Sequence, residues 1–120
     1  MHITEITQNN KTIAVVTGEH VLTDLGSALD LLSEAAFGRG IKRIALDKKS
    51  VTEDFFILST GLAGAVLEKF VQYGVKIAIY GDYSRYTSKP LRDFIRESSK
   101  GTSVFFAETE EEAVRRLAEV

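Results

Sequence analysis

Short runs of β-branched and aliphatic residues alternate along this chain with segments of helical apolar spacing, and that alternation restricts the fold more than any other feature. The runs are Ile3 to Thr7, Thr12 to Thr17, Ile41 to Leu46, Val75 to Tyr80 and Ser103 to Ala107. Only Gln8-Asn9-Asn10-Lys11, a polar turn cluster, separates the first two, so they read as a hairpin. The later runs are spaced by helical segments with their own start and stop signals. Thr23 is the expected N-cap of the first, with Leu25, Ala28, Leu29, Leu32 and Ala36 as its apolar stripe and Gly38 as its end. Thr52 opens the second, with Glu53 and Asp54 where the helix dipole favours acids; Phe55, Leu58, Leu62, Val66 and Phe70 form its apolar face. Ser88 and Pro90 mark a third start, anchored by Leu91, Phe94 and Ile95. Thr109 and Glu112 have capping-box spacing for the last, which carries Ala113, Val114, Leu117 and Ala118. The order β-β-α-β-α-β-α-β-α predicts an α/β fold, a mixed five-stranded sheet covered by helices, in a single domain over residues 1–120. Val75 to Tyr80 is almost continuously apolar and is expected at the centre, covered on both faces.

Composition removes whole classes of function. With 120 residues, 44% of them hydrophobic, the chain can bury a core without covalent staples. It has no cysteine, which excludes disulfides, thiolate zinc sites, iron–sulfur clusters and cysteine nucleophiles. Fifteen Lys and Arg against 17 Asp and Glu make a chain unlike the strongly basic nucleic-acid binders, so no nucleic-acid partner is expected. No apolar run approaches the ~18 residues of a membrane span, and the first ten residues lack the apolar core of a signal peptide. A cytoplasmic protein without a membrane partner is therefore expected. His2 and His20 are isolated, no Gly-x-Ser-x-Gly elbow is present, and no glycine set forms a Rossmann or P-loop fingerprint. No catalytic residue, metal or cofactor is expected.

Three places nevertheless carry chemistry. In Ser59-Thr60-Gly61-Leu62-Ala63-Gly64, a helix beginning at Ser59 would gather free N–H groups and two hydroxyls, favouring an anion or a phosphoryl group. The unbroken apolar period from Phe55 to Phe70 instead favours one long helix from Glu53 to Tyr73, in which Ser59 is buried. Asp47 and Asp82 both follow strand ends, where ligands of open α/β sheets bind. Two carboxylates there can hold Mg²⁺ or work as an acid/base pair, although Asp at such positions more often caps a turn. Finally, Arg85, Lys89, Arg92, Arg96 and Lys100 recur along one helix face, with Asp82, Tyr83 and Tyr86 beside them. Tyr and Arg are enriched at binding hot spots, so this stripe is a candidate interaction or anion-binding surface; read plainly, it is a solvated helix face.

Two family resemblances rest on these segments. The element order, with Leu46-Asp47 followed by Ser59-Thr60-Gly61-Leu62, resembles bacterial anti-sigma-factor antagonists and STAS domains. That resemblance implies a regulatory protein-binding module, with the Ser59 or Thr60 hydroxyl as the group a partner kinase phosphorylates. Asp54-Phe55-Phe56, Thr60-Gly61-Leu62-Ala63-Gly64, Gly81-Asp82-Tyr83-Ser84, Tyr86-Thr87-Ser88-Lys89 and Asp93-Phe94-Ile95 are similar to bacterial proteins grouped as domain of unknown function 4180, a name that implies no activity. The leading expectation is a non-catalytic interaction module with an unidentified protein partner. The competing one is a small-molecule or phosphate-binding protein, or an enzyme, using Asp47, Asp82 and Arg85. A homodimer is also expected, because a hairpin leaves a sheet edge open and Ile3, Ile6, Phe105 and Phe106 lie near the possible edges.

Overall fold

The structure is a computed structural model that describes all 120 residues. Strands β1 (His2–Gln8) and β2 (Lys11–Thr17) form the expected hairpin, joined by Asn9 and Asn10 at φ 54° and 61°. Two consecutive left-handed residues make the tight turn whose twist suits a hairpin, and Asn tolerates that conformation best after Gly. Helix α1 (Leu25–Leu32) follows and continues as a π-helical turn over Ser33–Gly38. Strand β3 (Arg43–Asp47) leads through three short 3-10 turns, Lys48–Ser50, Glu53–Phe56 and Leu58–Thr60, into helix α2 (Leu62–Gln72). Strand β4 (Lys76–Tyr80), helix α3 (Lys89–Ser99), strand β5 (Val104–Ala107) and helix α4 (Glu110–Ala118) complete the chain.

The sheet order is β1-β2-β3-β4-β5, antiparallel at the hairpin and parallel from β2 onward. Alternation along the strands divides the core in two. Ala14, Val16, Ile44, Leu46, Ile77, Ile79, Val104 and Phe106 pack with α1, α2 and α3 on one face. Ile13, Val15, Ala45, Ala78, Tyr80, Phe105 and Ala107 pack on the other with Ala113, Val114, Leu117 and Ala118 of α4. Three helices thus cover one face and α4 alone covers the other. The alanines on both sides of the α4 contact let that single helix lie close to the sheet. No helix is long and apolar enough to cross a membrane.

Two sequence expectations are corrected. The N-cap of α1 is Asp24 rather than Thr23: its carboxylate accepts from Ser27 N at 2.7 Å, and Ser27 Oγ accepts from the Asp24 N–H at 3.0 Å. The buried stripe is Ala28, Leu31, Leu32, Ala35 and Ala36, leaving Leu25 and Leu29 at its exposed margins. The continuous helix from Glu53 to Tyr73 does not form. Gly61 adopts φ 74°, a left-handed conformation that stops helical propagation, so α2 begins only at Leu62 and the preceding residues fold as separate 3-10 turns.

Candidate functional site

The carboxyl ends of β3 and β4 emerge side by side and feed two loops, residues 47–61 and 81–88, which pack against each other. The contact begins at Lys48. Its stem crosses the backbone of Gly81 so closely that a Cβ on Gly81 would sit 2.6 Å from Lys48 Cβ. The ammonium then enters a cage of aromatic rings, 4.9 Å from the centroid of Phe56, 4.8 Å from Tyr86 and 5.9 Å from Tyr83. Each ring face carries negative charge density, and such contacts strengthen when the cation is shielded from water. Here the Lys48 side chain is only 12% exposed.

Glu53 supplies the counter-charge. Its carboxylate accepts from Lys48 Nζ at 3.3 Å and from the Tyr86 hydroxyl at 2.9 Å, and it pairs with Arg85. Partial burial pushes the Glu53 pKa up, but the Tyr86 hydrogen bond and the Lys48 and Arg85 charges together hold it below its ordinary value. Phe56 stacks on Tyr86 at 5.3 Å, while the Tyr83 hydroxyl donates to Ile79 O at 2.7 Å. Burial, with Tyr86 and Asp47 nearby, raises the Tyr83 pKa strongly, so this phenol serves as a neutral strut. Three residues from the first loop (Lys48, Glu53 and Phe56) and three from the second (Tyr83, Arg85 and Tyr86) are thereby locked into a single charged and aromatic cluster.

Asp47 and Asp82 do converge, on a groove of about 510 Å³ that Lys48, Lys49, Glu53 and Arg85 also line. Each also caps its own turn: Asp47 Oδ1 accepts from Lys49 N at 2.9 Å and Asp82 Oδ1 from Ser84 N at 2.8 Å. The Ser84 side-chain and backbone hydrogen bonds lower the Asp82 pKa. No group of three or more His, Asp or Glu side chains is placed to hold a metal ion. Ser59 and Thr60 are both exposed, in the last 3-10 turn before α2, which overturns the expectation that Ser59 is buried. Their hydroxyls differ. Thr60 Oγ1 bonds the Asp54 and Ile57 carbonyls at 2.9 Å and accepts from Leu62 N at 3.2 Å, whereas Ser59 Oγ makes no such bond and lines a second groove.

That second groove, about 550 Å³, runs from Arg85 and Tyr86 past Ile57 and Leu58 to Pro90 and Leu91 at the start of α3. Ile57 is 50% exposed and Leu58 37%. The basic stripe on α3 is largely neutralised within the helix. Lys89 and Arg96 both pair with Asp93, at 2.7 and 2.8 Å, and Lys100 pairs with Glu97 at 3.1 Å. Arg92 has no acidic partner, and Arg85 is drawn into the Glu53 cluster instead. Sequence reasoning located Asp47 and Asp82 by the strand-end rule, Arg85 as the start of the basic stripe, and Tyr83 and Tyr86 as the tyrosines beside it. It missed Lys48, Glu53, Phe56 and Ile57; the faint signal for them is an Asp-Lys-Lys strand end facing a Gly-Asp-Tyr strand end.

Residues 7–117 match the family model described as Domain of unknown function (DUF4180). No curated protein and no solved structure matches the chain.

Proposed function

We propose, from the premise that this chain belongs to the DUF4180 family, that it is a STAS-like protein-interaction module whose recognition surface is the crown at the carboxyl ends of β3 and β4. The observation that carries this reading is the pair Ile57 and Leu58, exposed side by side next to an apolar groove. Large aliphatic side chains in water are costly to display together, and here the loop holding them is fixed rather than loose. Thr60 staples its end and Glu53 ties its start to Arg85 and Tyr86. A rigid loop loses little entropy on binding, which favours affinity. The strand order and the hairpin followed by three parallel crossovers support the likeness to anti-sigma-factor antagonists. On that likeness, Ser59 is the phosphorylation site and Thr60 is not, because only Ser59 has its hydroxyl free. A phosphate there adds about −1.5 to −2 charges to the groove wall and opposes an apolar contact.

The test is a paired capture from the native host with the wild-type chain and a Leu58→Arg bait, followed by binding measurements on the purified partner. Leu58→Arg and Ile57→Glu are expected to weaken binding by ~30-fold or more, the loss typical of a central hot spot. Equal affinity of all three chains would remove the groove from recognition.

A second reading keeps one specific support, the convergence of Asp47 and Asp82 with Lys49 and Arg85 on one concave surface. It assigns the first groove to a small polar ligand. A compound at a hundredfold its Kd would stabilise the chain by about 2.7 kcal/mol. That gain should vanish in Asp82→Asn if this groove binds it, and survive if it does not.

A further inference from the structure

We propose that two copies of this chain associate through their β1 edges, antiparallel about a two-fold axis at Glu5, to join their sheets into one. The two edges of the sheet are treated differently. On β5 the Phe106 N–H is occupied by Ser99 Oγ at 3.1 Å, and α3, which carries Ser99, packs against the strand. On β1 nothing comparable exists. The two-residue turn at Asn9 and Asn10 fixes the phase of the hairpin ladder: Gln8 faces Lys11 as the closing hydrogen-bonded pair, so Gln8, Ile6, Thr4 and His2 bond to β2. Ile3, Glu5 and Thr7 therefore turn their N–H and C=O groups outward, and none of these groups has a partner. The strand has no proline and no bulge to discourage pairing.

A second copy is the occupant that fits this row without remainder. With Glu5 opposite its symmetry mate, Ile3 lies opposite Thr7 and Thr7 opposite Ile3, so every outward group on both strands is engaged. Shifting the register by one hydrogen-bonded step sets Thr7 opposite Met1 in one direction or Ile3 opposite the turn residue Asn9 in the other, both outside the strand, and leaves groups unpaired. The facing carboxylates are not bare: each Glu5 carries its own Arg39, 2.8 Å away, so two neutralised pairs meet at the axis.

The chain has no cysteine, which makes the register directly testable. Facing residues of a hydrogen-bonded antiparallel pair lie ~5.5 Å apart at Cα, within disulfide reach. Oxidised Glu5→Cys is expected to run as a covalent dimer, whereas Thr7→Cys, ~14 Å from its own mate in this register, stays monomeric. Light scattering of the unmodified chain should give twice 13.3 kDa. Glu5→Pro removes an outward N–H that β2 does not use, so it should abolish the dimer while leaving the circular dichroism of the fold unchanged. A mass of 13.3 kDa at every concentration overturns the proposal, as does a dimer that Glu5→Pro leaves intact or equal cross-linking at positions 5 and 7.

Discussion

At the scale of single residues, the Lys48 cluster joins two loops that α2 and β4 separate in sequence, and its parts have separable consequences. Gly81 exists for closeness. Gly81→Ala would put a methyl group against the Lys48 stem, and displacing that stem pulls the ammonium from its cage. A loss of roughly 1–3 kcal/mol, the usual cost of overpacking, is expected in urea unfolding. Glu53 gives a pH dependence of known sign. Because its folded pKa lies below the ordinary 4.5, the stability it adds is complete above that value and is lost as the pH falls through the folded pKa. The acid limb of the wild-type stability curve should therefore fall more steeply below pH 4.5 than that of Glu53→Gln, while the two curves run parallel from pH 6 to 8. Neither role was legible in the sequence. Glu53 has the marks of a helix-start acid and Lys48 of a turn residue, and only the pairing of two loops reveals them as partners.

At the scale of elements, the instructive case is the segment from Glu53 to Gln72. Its apolar residues keep helical spacing throughout, so periodicity alone favours one helix. The 3-10 turns preserve roughly that spacing, and the interruption depends on the backbone of Gly61. Ser-Thr-Gly was the available signal, since a glycine after two hydroxyl residues suits a turn better than a helix interior. Thr60 and Ser59 then predict opposite outcomes. Thr60→Val should cost about 0.5–2 kcal/mol in thermal or chemical unfolding through loss of the cap on Leu62, and Ser59→Ala should stay within about 0.5 kcal/mol of wild type. Gly61→Ala should cost ~1–2 kcal/mol for a left-handed residue with a Cβ. On α3, the spacing of the cations was legible but their neutralisation was not, because Asp93 reaches Lys89 on one side and Arg96 on the other.

At the scale of the whole molecule, the hairpin, the five strands and the four principal helices were all legible, since each rests on local pattern and turn chemistry. Which helix covers which face was not. Burial periodicity shows that a helix packs, but the side is decided by the right-handed crossovers that place α1, α2 and α3 together and by the chain's passage beyond β5. That arrangement leaves the carboxyl ends of the parallel strands as the one place where two long loops meet, and the groove with Ile57 and Leu58 lies there. Site-specific photo-cross-linking in the native host addresses its role most directly, with the reactive group placed in turn at Leu58, at Thr87 across the same groove and, at the opposite end of the sheet, at Lys11. Leu58 and Thr87 are expected to capture the same protein, and Lys11 is not. Capture of that protein with equal yield from Lys11, or no capture from either groove position, would contradict this role.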